Sequence, residues 1–272
     1  AQEGAIVGKD GWLFTTEELE QTAGFENNIA TTAERIVQVD AAMAARGIKL
    51  VPLLVPDKAE IYADMLGMRR PDQITERREL LLRIQSDRGV HVLDATRALR
   101  DAMQTQDVFM QSDTHWSPHG SQAVANEIAQ AVARTDIQLT PATLTTHQED
   151  SVAFDGDLLR FVPTGALRPL IGPKQEKITR FTTNIETNGG LFDDPTVDVA
   201  LVGTSFSARA EWHFAGFLKQ ALGADLINFA QEGQGPFAPM TAFLKSDAYK
   251  NKPPKLVIWE IPVRYTSKDM NP

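Results

Sequence analysis

The chain has 272 residues, of which 42% are hydrophobic and 23% are charged, a composition typical of a globular protein with one large domain or two small ones. Its net charge of −9 and the lack of a basic cluster argue against nucleic acid as a partner. The sequence has no cysteine, so disulfide bonds and thiolate metal sites are excluded. No apolar run reaches the roughly 18 to 20 residues that span a bilayer. Because the sequence starts at Ala1 and not at Met, we expect that an N-terminal segment has been removed.

The first third of the chain predicts a hairpin, a long helix and a buried strand. Residues 6–14 read as two short apolar pieces around a Lys9-Asp10-Gly11 turn. Residues 17–45 have helical periodicity, with a break expected at Gly24. Residues 49–55 form an apolar run that fits a strand covered on both faces, although Pro52 favours an edge position or a bulge.

The remaining elements alternate between strands and helices. Helices are predicted at 78–87, 118–134, 212–222 and 238–248, and strands at 90–93, 197–202, 226–229 and 256–261. This alternation predicts an α/β fold with a central parallel sheet and helices on both faces. Residues 135–196 lack a helical period and read as a β-rich insertion or a long ordered loop, within a single domain covering residues 1–272.

Two short motifs contain the candidate catalytic residues. The first is Ser-Asp-Thr-His-Trp-Ser-Pro at 112–118, and the second is Val-Gly-Thr-Ser-Phe-Ser at 202–207, directly after a predicted strand. Together they supply the parts of an activated serine nucleophile. Ser205 is the candidate nucleophile, His115 its general base and Asp113 the carboxylate that orients the imidazole.

Other interpretations of these motifs compete with the catalytic one. Ser117 and Pro118 are also a typical helix start, and this interpretation is compatible with catalysis. His115 and His119 lie four residues apart near Asp113, a spacing seen in metal sites, but too few ligands are near to favour a metal. An α/β-hydrolase nucleophile elbow is disfavoured because Ser207 replaces the second glycine of that motif.

Further polar residues follow the predicted strands, at the edge of the sheet where α/β proteins bind ligands. Gly233, Gln234 and Gly235 either donate N–H groups to an oxyanion or only form a strand-to-helix turn. Arg264 and Tyr265 either orient an acyl group or a sugar, or form a surface ion pair and a packed ring. Arg209 is a further candidate for holding a sugar carboxylate.

Several motifs spread over nearly the whole chain resemble those of one family. They are Gly-Lys-Asp-Gly-Trp-Leu-Phe (8–14), Val-Pro-Asp-Lys (55–58), Ser-Asp-Thr-His-Trp-Ser-Pro-x-Gly (112–120), Gly-Thr-Ser-Phe-Ser (203–207), Glu-Gly-x-Gly-Pro (232–236) and Ile-Trp-Glu-Ile-Pro-x-Arg-Tyr (258–265). In these motifs the chain resembles the alginate O-acetyltransferases of the AlgJ and AlgX type. The resemblance implies an SGNH-hydrolase-like fold in circularly permuted order. It also implies a triad of Asp113, His115 and Ser205, and an active-site tyrosine at Tyr265.

The resemblance further implies a function. The enzyme would act in the periplasm without a cofactor, tethered to the inner membrane by the removed segment, and would receive acetyl groups from a membrane-bound O-acyltransferase. Through an acetyl-serine it would pass them to mannuronate hydroxyls of alginate, alongside other alginate acetylation and export proteins. Since the sequence ends at Pro272, with no room for a carbohydrate-binding module, we expect it to resemble AlgJ more closely and to bind polymer weakly. A carbohydrate acetylesterase and a non-catalytic adaptor of an export complex are the alternatives.

Overall fold

The computed structural model describes residues 4–162, 173–186 and 197–268. Five parallel strands form the central sheet, in the order β4-β3-β9-β7-β8. Their bounds are β3 Lys49–Val55, β4 Leu93–Asp94, β7 Val199–Val202, β8 Leu226–Asn228 and β9 Leu256–Pro262. The predicted α/β class with a parallel sheet is confirmed.

Helices connect these strands and cover both faces of the sheet. They are α1 Phe25–Ala44, α2 Lys58–Ile61, α3 Ala63–Leu66, α4 Asp72–Asp87, α5 Thr96–Ala102, α6 Pro118–Ala133, α7 Ser205–Ala208, α8 Phe214–Leu222, α9 Phe237–Lys245 and α10 Asp247–Lys250. Short 3₁₀ helices lie at Lys9–Gly11, Thr16–Leu19, Asp157–Phe161, Ala210–Trp212 and Val263–Tyr265. In the described ranges, no helix has the length and apolar character needed to cross a membrane.

Alternate residues of the strands enter two separate cores, which makes the fold a three-layer sandwich. In β9, Ile258 packs into the core beneath α6 and α8, whereas Trp259 packs into the core beneath α1 and α9. Because successive side chains of a strand point to opposite faces, a strand buried on both sides is mostly apolar, and in β9 the one charged residue is Glu260. All seven residues of β9 are buried accordingly.

The structure corrects two predictions in the first third of the chain. β3 is an inner strand of the sheet, and Pro52 marks no bulge, because β3 pairs with β9 in unbroken register from Lys49 to Val55. On the other side, β4 pairs only with Leu53 and Leu54, so the proline interrupts no pairing there. Of the helix predicted at 17–45, only the part from Phe25 is α-helical; the break expected at Gly24, where φ is 70°, is confirmed, and a 3₁₀ helix at Thr16–Leu19 precedes it. Gly24 adopts this left-handed conformation without the steric cost that a side chain would bring.

Two smaller sheets flank the core. β1 Ala5–Val7 and β2 Leu13–Thr15 form the hairpin that the sequence predicts. In the segment predicted to be β-rich, β5 Thr143–Phe154 pairs with β6 Glu176–Glu186 in a long antiparallel ribbon. The ribbon contacts α6 and α8, and the 3₁₀ helix Asp157–Phe161 that follows β5 packs against β1 and β2 and lines the same cleft as Ser205.

Candidate active site

Ser205 lies on the turn that leaves β7. It is the first residue of α7, and the hydroxyl of the preceding Thr204 caps that helix by accepting a hydrogen bond from the Phe206 N–H at 3.3 Å. At the start of a helix the N–H groups have no intrahelical partner. The Ser205 N–H is one such group, and it adjoins the Ser205 hydroxyl.

His115 and Asp113 lie in an irregular loop that ends at α6. The predicted cap of this helix is present, since the Ser117 hydroxyl accepts a hydrogen bond from the Gly120 N–H at 3.1 Å and Pro118 occupies the first turn. The Met110 N–H donates to the His115 carbonyl at 3.1 Å. The cap and this bond fix the loop at its end, and the helix start is compatible with the catalytic interpretation.

The three predicted catalytic residues lie in one hydrogen-bonded chain. His115 Nε2 lies 2.7 Å from Ser205 Oγ, and His115 Nδ1 lies 2.6 Å from Asp113 Oδ1. Asp113 is fully buried and His115 is 4% exposed, whereas Ser205 is half-buried at the edge of a cleft. This is the geometry that a nucleophile, its base and an orienting carboxylate require.

Aromatic rings and backbone groups hold the imidazole and its carboxylate in place. The His115 ring lies between Phe206 and Trp212, with ring centroids 4.7 Å and 5.1 Å away. Asp113 also accepts hydrogen bonds from the His115 N–H at 3.0 Å and the Asp157 N–H at 2.8 Å. Burial opposes ionisation of Asp113, but the hydrogen bonds and the charge of His115 lower the pKa of its carboxyl to about 2. The carboxylate is therefore ionised at neutral pH.

Four polar residues that support the site were missed by sequence reasoning, namely Lys58, Asp157, Glu176 and Glu260. Asp157 accepts hydrogen bonds from the Thr114 N–H and hydroxyl at 2.8 and 3.1 Å, besides donating to Asp113. Burial and the nearby charge of Asp113 raise the pKa of the Asp157 carboxyl. The segments around Lys58 and Glu260 belong to motifs of the resemblance, and this was the only sequence signal for any of the four.

Glu260 supports the turn that carries Ser205. Its carboxylate, fully buried on β9, accepts hydrogen bonds from the Thr204 N–H at 2.7 Å, the Thr204 hydroxyl at 3.0 Å and the Ser207 hydroxyl at 3.1 Å. A Cβ atom on Gly203 would lie 2.5 Å from Glu260 Oε2, so the close approach of turn and carboxylate requires glycine there. Burial raises the pKa of the Glu260 carboxyl to about 7 in spite of these hydrogen bonds.

This raised pKa predicts a pH-dependent stability. Between pH 4.5 and 7 the folded protein binds more protons at Glu260 than the unfolded chain, so the free energy of unfolding decreases as the pH rises. The stabilising contribution of Glu260 is lost as the pH rises through about 7. Glu260→Gln has no titratable group at this position. Between pH 5 and pH 7.5 its free energy of unfolding should therefore fall less than that of the wild type, by up to about 3 kcal/mol. Urea unfolding at the two pH values measures this difference. Glu18, whose pKa burial and the charge of Asp57 also raise to about 7, contributes equally to both proteins. Identical pH dependence in the two proteins would contradict the expectation.

A cleft of about 370 Å³ opens at Ser205 and contains most of the predicted substrate-binding residues. Among the residues that line it are Ser205, His115, Arg209, Gly233, Arg264 and Tyr265. Gln234 is exposed, and Gly235 lies against the Tyr265 ring, with φ values of 70° and 62° at Gly233 and Gly235 marking a tight turn. The structure thus shows the turn and brings one of its three predicted residues into the cleft.

Two of the three arginines that line the cleft, Arg264 and Arg209, lie beside carboxylates. Arg264, only 5% exposed, lies with its Nε 3.3 Å from Glu17 Oε2, and its guanidinium is 5.1 Å from the Tyr265 ring centroid. Arg209 pairs with Glu211 at 2.7 Å and lies over the Trp212 ring. Arg264 therefore forms a buried ion pair, not the surface pair that the sequence left open, and it also lines the cleft.

The structure separates the two histidines that suggested a metal. His119 Nε2 lies 3.1 Å from the Ala102 carbonyl and 3.2 Å from the Thr105 hydroxyl. Asp113, His115 and Asp157 instead bring one ligand-type atom each within 4.8 Å of one another. Their groups already bond to each other and to backbone N–H groups, so an ion there would have to break the link between Asp113 and His115.

Known proteins match the chain over nearly its full length. The family model described as an SGNH hydrolase-like domain, acetyltransferase AlgX, matches residues 5–263. The probable alginate O-acetylase AlgJ of Pseudomonas syringae pv. tomato is 37% identical over 269 residues, covering 96% of this chain and 69% of that protein. The O-acetyltransferase domain of Pseudomonas putida AlgJ has a TM-score of 0.92 at 33% identity, with 99% of this chain and 94% of that chain covered.

The fold and the family match define the chain as an SGNH hydrolase-like O-acetyltransferase. It belongs to the family of the alginate O-acetylases AlgJ and the acetyltransferase AlgX. The resemblance seen in the sequence motifs is confirmed. Pseudomonas aeruginosa AlgX, at 22% identity and a TM-score of 0.73 over 97% of this chain and 63% of that chain, shares the fold.

Proposed function

We propose that the chain transfers acetyl groups to hydroxyls of mannuronate residues in alginate through an acetyl-Ser205 intermediate. The observation that carries the proposal is the chain of two short hydrogen bonds from Ser205 through His115 to Asp113. Membership of a family whose named relatives are alginate O-acetylases supports the substrate.

In the first half-reaction, His115 Nε2 takes the Ser205 proton while Oγ forms a bond to the acetyl carbonyl carbon of the donor. The oxyanion of the tetrahedral intermediate is stabilised by backbone N–H groups, for which Ser205 at the start of α7 and Gly233 in the cleft are the candidates. The intermediate collapses, the bond to the donor's leaving group breaks, and the leaving group takes the proton from His115. Ionised Asp113 stabilises the imidazolium that forms on the way.

In the second half-reaction, a sugar hydroxyl gives its proton to His115 and attacks the acetyl-serine carbonyl. The ester bond to Oγ breaks, and the proton returns from His115 to Ser205. Arg209 and Arg264 are the candidates for holding the uronate carboxylate, since a guanidinium matches a carboxylate with two parallel hydrogen bonds, and Tyr265 offers a ring for the sugar.

The family also supports a cellular setting for this reaction. Relatives named probable alginate O-acetylase and alginate biosynthesis protein support a periplasmic enzyme with alginate and other alginate proteins as partners. A membrane-bound O-acyltransferase is the proposed donor of the acetyl group. The inner-membrane tether stays a prediction of the sequence.

The acetyl-enzyme can be tested directly by intact-mass spectrometry. After incubation with 4-nitrophenyl acetate, the wild-type chain should gain one acetyl group, and peptide mapping should place it on Ser205. Ser205→Ala should gain none. His119→Ala, a substitution outside the cleft, is the matched control and should acetylate normally. A second-stage addition of short mannuronate oligomers should move the acetyl group to the sugar.

Each alternative gives a different result in this experiment. An acetylesterase would release acetate at the same rate with and without oligomers, since only exclusion of water separates the two activities. A non-catalytic adaptor would remain unlabelled. Either result would overturn the proposal.

A further inference from the structure

The loop that carries the proposed catalytic acid and base has no regular secondary structure of its own. Residues 111–115, which we call the catalytic loop, form a series of bends. They lie between Phe109 and Trp116, two residues that are joined by an isolated β-bridge. Its backbone N–H and C=O groups are mostly buried with the loop. Buried backbone polar groups need partners, and here two charged side chains from distant elements provide them.

Lys58 binds the carbonyl side of this loop. Its Nζ donates to the carbonyls of Gln111 and Asp113, both at 2.9 Å, and to the Leu13 carbonyl of β2 at 2.5 Å. The side chain is 1% exposed, and its ammonium group lies 5.1 and 5.3 Å from the ring centroids of Trp12 and Phe14. All three protons of the ammonium group thus have acceptors, two of them on the catalytic loop.

Glu176 binds the N–H side of the same loop. This first residue of β6 accepts hydrogen bonds from the N–H groups of Gln111 at 2.6 Å and Ser112 at 2.7 Å, and also from the Ser112 hydroxyl. Hydrogen bonds to an ionised group are about twice as strong as those between neutral groups. The loop is therefore fixed by a cation on one side and an anion on the other.

We propose that Lys58 and Glu176 are a pair of positioning residues for acetyl transfer, which hold the backbone of residues 111–113 so that Asp113 meets His115. The inference rests on the proposed function, because it assigns the pair a role through Asp113 and not through contact with substrate. Neither residue lines the cleft at Ser205. They act on catalysis only by fixing where the carboxylate and the imidazole stand.

The first test compares kcat per folded molecule on 4-nitrophenyl acetate. Lys58→Met and Glu176→Gln should each lower kcat by roughly 10- to 100-fold and leave KM within about twofold, because misplacing a catalytic group by about 1 Å costs up to about 100-fold. Lys177→Met and Glu186→Gln, exposed positions on β6, are the matched controls and should keep wild-type kcat. Because Lys58 and Glu176 fix the same segment, the double variant should lose less than the product of the single losses.

A second readout separates positioning from simple stabilisation. The proton between His115 Nδ1 and Asp113 should give a far-downfield proton resonance in the wild-type protein. In Glu176→Gln, which keeps one acceptor oxygen and the shape of the side chain, this resonance should broaden or shift even where the protein is fully folded. A purely structural role would leave the resonance of the folded fraction unchanged.

The alkaline limb of the kcat profile gives a third readout. Burial lowers the pKa of Lys58 to about 8, against the opposing charges of the four carboxylates that face it, Glu18, Glu176, Asp113 and Asp157. A neutral amine has only two protons for three carbonyls, so kcat should decline above about pH 8. Removing the charge of Glu176 should move this decline to lower pH.

The outcomes distinguish the inference from the proposed function. If Ser205→Ala abolishes acetylation but Lys58→Met and Glu176→Gln both keep wild-type kcat and the downfield resonance, the positioning role is wrong and the proposed function stands. If Ser205→Ala retains activity, the proposed function itself fails. If Lys58→Met does not fold, Glu176→Gln by itself tests the positioning role. An unchanged kcat, downfield resonance and alkaline limb in that variant would contradict the inference.

Discussion

Alanine in place of Ser205, His115 or Asp113 is expected to lower the rate on a small acetyl ester by roughly a thousandfold or more. Each substitution removes one member of the hydrogen-bonded chain that, in the proposed mechanism, activates the Ser205 hydroxyl. The three residues act as a unit, so the losses should not multiply: Ser205→Ala combined with His115→Ala should be about as slow as Ser205→Ala alone. Steady-state rates, corrected for spontaneous hydrolysis, measure the effect.

His119→Ala is the control for this series. Its imidazole bonds to the Ala102 carbonyl and not to the triad, and its loss should leave the rate within about twofold of wild type. If His119→Ala abolished activity and His115→Ala did not, the assignment of the base would be wrong. Loss of wild-type activity in EDTA, with recovery on adding zinc, would instead point to a metal at Asp113, His115 and Asp157.

Gly156→Ala is expected to lower kcat/KM by about 100-fold or more, although Gly156 lies outside the cleft. Its backbone angles, φ −70° and ψ 159°, suit any residue, so the effect comes from contact alone. An added Cβ would lie 2.2 Å from the Ser112 carbonyl carbon and oxygen and 2.5 Å from the Asp113 nitrogen. The backbone must move to relieve this overlap, and the same movement disturbs the 2.8 Å bond from Asp157 N–H to Asp113.

Gly89→Ala is the matched control for this glycine. Position 89 has open space around its Cβ but a φ of 75°, so alanine there should cost about 1 kcal/mol of stability and leave kcat/KM per folded molecule unchanged. Kinetics and urea unfolding on both variants separate the two effects. A Gly156→Ala enzyme with wild-type kcat/KM would show that the insertion does not control the position of Asp113.

The sequence predicted much of the site because its signals are local. Asp113 and His115 are two residues apart, so their contact needs only a tight loop, and the Ser117 cap fixes where that loop ends. Ser205 follows a short apolar strand directly, and in a parallel sheet such positions gather at one edge. Local spacing and strand position together were therefore sufficient to identify the three residues that the structure brings into one chain.

The supporting residues left no such local signal. Lys58 and Glu176 bind backbone atoms 45 to 65 residues away, and a carbonyl or N–H group has no sequence signature of its own. Glu260 lies in a run that is otherwise apolar and buried, where periodicity predicts only a covered strand. Its role becomes visible only when the Thr204 N–H is found beside its carboxylate.

The sequence by itself determined the α/β class, the position of Ser205 after a strand, the place of Asp113 and His115 just before a capped helix, and the family resemblance, because periodicity, caps and motifs act over a few residues. Only the tertiary structure decided that β3 lies inside the sheet despite Pro52, that Arg264 is buried against Glu17, and that the β5–β6 segment supports the catalytic loop. These features depend on which distant segments pack together. Packing is decided by the whole set of buried surfaces and polar partners, which no short stretch of sequence contains.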